Sequence, residues 1–340
     1  MKKKVALITG IAGQDGAYLA NFLIKKNYKV IGIDRRSSRN NNFRLKYFRI
    51  ENKVAMEHCD LTEIYSLERV FKKFSYKIDE VYNLGAQSFV KSSFDTPIST
   101  TDINALGTLR ILEIIRNSKK KIKFYQASTS EMFGNINKLL SEKSEFNPQS
   151  PYAISKLYAH YITKNYRESY GLFACSGILF NHESPLRGEE FVTKKIISGF
   201  VKILNKEQDC LYLGNLYAKR DWGFAGDYVR AMWLMLQNKK PKDYVIGTGN
   251  AYSVKDFINE TARYLKIKIK WLGNGLDEKA INLDTRKIII KIDKNNFRPS
   301  EVFFLKANFE KAKKELRWFP KTKFKSLIKL MVDEELNISK

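Results

Sequence analysis

Three observations predict a doubly wound α/β fold on a parallel sheet. Short apolar runs alternate with helical patterns through the first half of the chain. A glycine triplet sits directly between the first apolar run and the first helical pattern. The regular alternation stops near residue 180, which predicts a smaller, mixed α/β second lobe, with some segments returning to the first.

The elements follow in order. Val5 to Thr9 reads as a strand, and Asp15 to Lys26 as a helix with Ala17, Leu19, Ala20, Leu23 and Ile24 on one broad face. Val30 to Ile33 is a second strand. Leu67 to Phe74 is helical, Glu80 to Asn83 extended, Ala105 to Asn117 helical and Lys123 to Ala127 extended. Pro151 to Tyr170 is a long helix and Phe173 to Leu179 a strand. Further helices are predicted at Phe191 to Asn205, Gly226 to Leu236 and Ser253 to Leu265, with short strands between them. Ligands of such folds sit outside the carboxyl ends of the strands, so the chemistry should come from the loops that follow them.

Bulk properties narrow the function classes. Of 340 residues, 44% are hydrophobic, enough for a sizeable core. No apolar run is long enough to cross a membrane, and the start MKKKVALITG has no apolar segment with a cleavage site, so neither a membrane span nor a signal peptide is expected. The three cysteines, Cys59, Cys175 and Cys210, form no metal or disulfide spacing; no metal is expected, and a reducing cytoplasm fits. The net charge of +25 is spread along the chain with only short clusters such as Lys119 to Lys121, which argues against a nucleic-acid partner. It suits anionic small molecules.

Gly10, Gly13 and Gly16, in TGIAGQDG, follow the first strand and open the first helix. A tight turn, close backbone approach and a helix N-terminus aimed at negative charge are what a dinucleotide pyrophosphate requires. Ile11, Gln14 and Asp15 fall in the same loop. After the second strand comes Asp34-Arg35-Arg36-Ser37-Ser38. An acid there favours the ribose hydroxyl of NAD, whereas arginines receive the 2′-phosphate of NADP. Arg35 and Arg36 favour NADP, with Asp34 as the competing signal for NAD. Asp60 and Leu61, after a third strand, are candidate adenine contacts.

Tyr152 and Lys156 are four apart on a predicted helix and so share a face, where an ammonium should lower the phenol pKa toward neutrality. Gln126 to Glu131 closes an apolar strand with hydroxyls and a carboxylate, and polar groups just past a strand are well placed to face a cofactor. A helix-capping box from Ser128 to Glu131 is the purely structural alternative.

These motifs resemble the extended short-chain dehydrogenase/reductase family. QASTSEMFG resembles the catalytic segment of its nucleotide-sugar 4,6-dehydratases, and GQDG together with the Ser130 position resembles their GDP-mannose branch. NLGAQSFVKSSF (83–94), SPYAISKLYAHYITKNYRESYG (150–171), GILFNHESPLRGEEFVTKKI (177–196), LYLGNLYAKRDWGFAGDYV (211–229) and FRPSEV (297–302) extend the likeness over nearly the whole chain. The chain departs from the pattern at Phe89 and Phe224, each in place of His. Leu186 replaces Arg, Ser99 replaces Tyr, and Met132-Phe133 replaces Leu-Tyr.

The resemblance implies a Rossmann-type NADP-binding domain over 1–179 with a returning segment near 221–247. A nucleotide-sugar-binding lobe takes up most of 180–340. It implies catalysis by Thr129, Glu131, Tyr152 and Lys156, and cofactor contacts from Leu84, Gly85, Ala86, Gln87, Ser88, His182 and Arg187. It implies substrate contacts from Ser88, Ser130, Asn181, Val192, Lys195, Gly214, Arg220, Arg298 and Glu301, with Arg220 and Arg298 forking onto the pyrophosphate. The implied substrate is GDP-mannose or a close GDP-sugar such as a GDP-manno-heptose. The arginine-serine segment after the second strand would also meet a neighbouring subunit in a homotetramer. Two alternatives stay open at this point: an epimerase or 4-reductase of the same fold, which has no need of Glu131, and a non-catalytic NADP sensor, which has no need of the whole set.

Overall fold

The computed structural model describes residues 3–37, 42–74, 77–297 and 299–338. Six strands come from the first 179 residues: β1 (Val5–Thr9), β2 (Lys29–Asp34), β3 (Val54–His58), β4 (Glu80–Asn83), β5 (Lys123–Thr129) and β6 (Ala174–Leu179). With Tyr244–Ile246 they form one seven-stranded sheet, in the order 244–246, β6, β5, β4, β1, β2, β3. Every neighbouring pair is parallel. The winding reverses between β1 and β4, and a crevice opens at their carboxyl ends.

The period of two along β1 explains why the sheet is covered on both faces. Ala6 and Ile8 join a core with Ala17, Ala20 and Leu23 of helix α1 (Gln14–Lys25). Val5 and Leu7 point the other way, into a core with Leu67, Val70, Ile111 and Leu112. A strand buried on both faces reads as a continuous apolar run, as VALIT does.

The helix predicted from Ala105 is longer and irregular. Helical backbone runs from Pro97 to Arg116, with a π-helical turn at Asp102–Leu106. The turn presents Asn104, whose Oδ1 accepts from the Gln87 N–H (2.9 Å) and whose Nδ2 donates to the Gln87 carbonyl (3.0 Å) and Ser155 Oγ (3.1 Å). Long-range bonds of this kind hold a π-turn that periodicity does not reveal.

The second lobe is a four-stranded mixed sheet ordered Ile269–Leu272, Lys279–Asn282, Ile288–Ile292, Leu211–Leu213. Helices Val192–Leu204, Val254–Tyr264 and Phe324–Ile338 pack on it, sharing a core with Ile196, Phe200, Phe257, Ile290 and Leu327. Helix Ala225–Gln237 returns to the first core, through Val229, Met232 and Leu236. So does a stretch expected in the second lobe: Ala312, Leu316 and Trp318 pack in the first core, and Trp318 Nε1 donates to the Asp227 carbonyl at 2.9 Å. Among the described residues no helix is long and apolar enough to cross a membrane.

Candidate active site

The β1–α1 turn is built by steric exclusion. Gly10 has φ +66°, and a Cβ there would come within 2.8 Å of the Gly85 Cα. A Cβ on Gly16 would lie 2.3 Å from the Gly10 carbonyl oxygen, so only glycine lets the first turn of α1 close against the loop. Beneath it, Thr9 Oγ1 donates to Asn83 Oδ1 (2.7 Å) and accepts from the backbone N–H groups of Leu84 and Gly85. Thr9 thus joins β1 to the loop after β4. The sequence reading missed it and Asn104. Both are polar residues next to a glycine loop or in a helical pattern, and only their partners in space identify them.

A single cleft of about 1030 Å³ runs from this turn across the ends of β4, β5 and β6 to the second lobe. That is at the upper end of the range for one small-molecule pocket, about 300–1000 Å³, and leaves room for two ligands side by side. Gly10, Gly13, Gln14, Asp15, Gly16, Arg35, Asp60, Leu61 and residues 84–88 line one end. Thr129, Ser130, Glu131, Tyr152 and Lys156 line the middle, with Asn181, His182 and Arg187 beside them. Val192, Lys195, Gly214, Arg220 and Glu301 line the other end.

Two expected residues do not reach the cleft. Ile11 is fully buried in the first core, and its N–H donates to the Ile33 carbonyl at 3.3 Å. Arg36 is exposed and is not among the lining residues, whereas Asp34 and Arg35 are. Arg298 lies outside the described residues.

Tyr152 and Lys156 are held by a well-started helix. Ser150 caps Pro151–Tyr170, accepting from the Ala153 N–H at 3.1 Å, and proline occupies the first turn. Both side chains are buried. Burial drops the Lys156 ammonium to about 8, against a smaller raising influence of the Asp15 carboxylate. Burial pushes the Tyr152 phenol up to about 12; a hydrogen bond with Thr129 lowers it and nearby Glu131 raises it. The expectation that Lys156 would bring the phenol toward neutrality is therefore corrected for the ligand-free protein. Desolvation dominates, and Lys156 Nζ is turned to the Ala127 carbonyl at 2.8 Å.

The capping reading of 128–131 is also revised. Thr129, not Ser128, caps the short 3₁₀ turn Ser130–Phe133, accepting from the Glu131 N–H at 3.3 Å. Ser128 Oγ faces His160 Nδ1 at 3.2 Å. The turn aims the buried Glu131 at the cleft, where Arg220 Nε stands 3.9 Å from its Oε1 and Arg220 Nη2 stands 3.7 Å from Glu301 Oε1. The departures from the family pattern fill apolar contacts. Phe89 meets Phe191 edge to face at 5.9 Å, Phe224 meets Tyr18 at 5.5 Å, and Leu186 is buried. Ser99 lines the cleft.

The donor set at the turn fits an anionic dinucleotide. It has a glycine cradle that a Cβ would fill, a helix N-terminus, and a strand end carrying Asp34 and Arg35. The middle of the cleft combines a hydroxyl, a carboxylate, a phenol and an ammonium within one wall. Such a wall can move protons to and from a sugar.

Comparison with known proteins agrees with this geometry. Residues 7–331 match the family model described as GDP-mannose 4,6 dehydratase. The chain is 48% identical to the GDP-mannose 4,6-dehydratase of Vibrio cholerae serotype O1, over 99% of this chain and 94% of that one. It is also 48% identical to GDP-mannose 4,6 dehydratase 1 of Arabidopsis thaliana, over 99% and 91%. The UDP-glucose 4-epimerase of Thermotoga maritima superposes with a TM-score of 0.81 over 99% of this chain and 100% of that one, at 23% identity, a likeness of fold alone. On these matches, the chain belongs to the GDP-mannose 4,6-dehydratase family.

Proposed function

We propose that the chain is a hydro-lyase that converts GDP-mannose, or a close GDP-sugar, to its 4-keto-6-deoxy form with a nicotinamide dinucleotide held in the same cleft. The observation that carries this reading is the meeting of Thr129, Glu131, Tyr152 and Lys156 on one wall of a cleft with room for both ligands. Membership of the family supports the substrate.

The residues divide the work. Gly10, Gly13, Gly16 and the loop of 84–88 would hold the dinucleotide. Arg35 at the end of β2 favours NADP, although Asp34 beside it keeps NAD in competition. A nicotinamide bound there would supply the acceptor, and later the donor, of a hydride. Tyr152 takes the proton of the sugar C4 hydroxyl, and Thr129 bonds the same hydroxyl and orients it. The resulting 4-keto group acidifies the C5 proton. Glu131 removes that proton and then protonates the departing C6 hydroxyl, which leaves as water, so one carboxylate serves as base and acid in turn; when hydride returns to C6, Tyr152 gives its proton to C5 and the phenol is reset. Lys156, one helical turn from Tyr152 on the same helix, would orient the cofactor end. Arg220, beside Glu131, would receive the pyrophosphate.

The internal cycle leaves the cofactor as it began, so the purified protein should carry it. Denaturing the protein and identifying the released nucleotide distinguishes NADP from NAD. Incubation with a panel of nucleotide sugars, with product masses read for loss of one water, tests the reaction. A C4 epimer with unchanged mass would point to the epimerase alternative. The basic segment after β2 favours a homotetramer; Ser38 and Arg39 of that segment lie outside the described residues. Light scattering that gives a monomer at micromolar concentration would overturn the tetramer.

A further inference from the structure

The glycine turn contains an acid, and an acid there is a physical problem. Asp15 stands in the first turn of α1, where the helix dipole welcomes a negative charge. The same positive end is what an anionic dinucleotide would use. A carboxylate at this point competes with the ligand unless something neutralises it.

His182 does so from the far side of the chain. It follows β6 in the short strand His182–Glu183 and lines the cleft with Asp15. Its Nε2 lies 2.7 Å from Asp15 Oδ2, and its Nδ1 lies 2.7 Å from the Phe180 carbonyl oxygen. Both ring nitrogens therefore face acceptors. A neutral imidazole has one N–H and can satisfy only one of them; the imidazolium satisfies both. The ring also stacks on Tyr228, with centroids 4.5 Å apart and 26° between planes, an arrangement that favours a cation over a π face. Gln14 reinforces the join, donating to the His182 carbonyl at 3.1 Å and accepting from Ser184 Oγ at 2.8 Å.

We propose that His182 is a positioning residue for the cofactor: as an imidazolium paired with Asp15 it cancels the charge of the glycine turn, so that dinucleotide affinity falls when His182 loses its proton. The proposal rests on the nicotinamide-dinucleotide reading above and concerns residues that need not touch the ligand's reacting end.

The surroundings favour the charged pair. Burial opposes the charge on His182, but the Asp15 carboxylate and the bond to Phe180 outweigh it, and the imidazole is raised above its ordinary value. Burial likewise opposes the charge on Asp15, and His182 outweighs it, so the carboxyl is lowered. The other charged or titratable groups facing the pair are few. Tyr18 of α1 feels Asp15. Arg187, from the loop after His182, weakly opposes the imidazolium and supports the carboxylate, and is itself paired with Glu183 at 3.0 Å. Tyr228 packs from helix Ala225–Gln237. Lys156 and Tyr152, which also line the cleft, and the buried Tyr125 of β5 feel the Asp15 charge as well.

The sign follows. Below the raised value of His182 the pair is neutral overall and the turn accepts an anion. As pH rises through it, Asp15 is left as an uncompensated carboxylate and the affinity drops.

Calorimetric titration of NADP⁺ into the full-length, nucleotide-stripped protein between pH 7 and 9.5 tests this. Wild type should weaken by roughly tenfold across the window, the size of one unscreened charge contact at the cleft. Asp15→Asn should lose that slope while keeping whatever Lys156 contributes. His182→Gln should bind roughly tenfold more weakly at pH 7 and show little further loss. The double variant should regain affinity near that of Asp15→Asn. Imidazole proton resonances read the group directly: one of the three histidines should titrate above the ordinary range in wild type and return toward it in Asp15→Asn. Equal slopes in wild type and Asp15→Asn, or wild-type affinity in His182→Gln at pH 7, overturns the proposal while leaving the cofactor reading intact. No dinucleotide binding by wild type at any pH sinks both.

Discussion

Lys156 and Glu131 show how single residues are given work that their type alone does not specify. Burial lowers the Lys156 ammonium to about 8 from 10.5, so between those values the unfolded chain holds a proton that the folded chain has released. A depressed value contributes stability that is fully present above the unfolded value and lost as pH falls through the folded one. Cofactor-free protein should therefore gain stability from this group between pH 8 and 10.5, by roughly 3 kcal/mol in the limit of full burial. Urea unfolding of wild type and Lys156→Gln across that window should show the rise in wild type alone. Glu131→Gln keeps the shape of a carboxylate but cannot accept a proton, and loss of a general base costs about 10² to 10⁴ in rate. That variant should accumulate reduced nicotinamide and a 4-keto sugar, whereas Tyr152→Phe should give no reduced nicotinamide. The two predict opposite absorbance changes after substrate addition. Wild-type turnover by Glu131→Gln would leave Glu131 no chemical role.

At the scale of elements, the glycine turn and the helix that carries Tyr152 are set by different forces. The turn depends on what cannot be there. Gly16→Ala puts a Cβ 2.3 Å from the Gly10 oxygen and 2.7 Å from Ile11 backbone atoms, so the turn must open. This should lower stability by about 1–3 kcal/mol and abolish dinucleotide binding. Gly171, which ends helix Pro151–Tyr170 at φ +66° with nothing near its missing side chain, is the control. Gly171→Ala should cost about 1 kcal/mol for the left-handed backbone and leave binding unchanged. Thermal melts and dinucleotide titration of both variants check the contrast. The Tyr152 helix, by contrast, was legible almost to the residue, because Ser-Pro at its start and Gly171 at its end are local signals. The turn Asp102–Leu106 was not, because its geometry serves Asn104, Gln87 and Ser155, which meet only in the folded chain.

Across the whole molecule, Asp221 ties the cleft to both lobes. Its carboxylate accepts from the Thr248 N–H and hydroxyl, the Gly249 N–H and the Ala307 N–H, at 2.6–3.2 Å. It is flanked by Arg220 and Trp222, which line the cleft. Asp221→Ala would leave several buried donors without an acceptor, and should lower stability by about 2–4 kcal/mol. Substrate affinity should fall with it, since the backbone that carries Arg220 loses its anchor. Denaturant unfolding and equilibrium binding of a GDP-sugar read the two effects. A surface substitution with neither effect would have been expected at an exposed lysine, of which this basic chain has many.

The sequence by itself determined the parallel sheet, the glycine turn and the candidate tyrosine-lysine pair, because each is written in neighbours along the chain: apolar period, glycine spacing, and a tyrosine and lysine one helical turn apart. Tertiary structure decided what those groups experience. It turned Lys156 toward Ala127 and buried Tyr152, so that the phenol rises where proximity in sequence suggested a fall. It paired Asp15 with His182 across 167 positions and set Arg220 between Glu131 and Glu301. It also carried Trp318 back to the first core. Local pattern fixes backbone and facing direction. Desolvation and ion pairing depend on what arrives from elsewhere in the chain, and only the fold sets that.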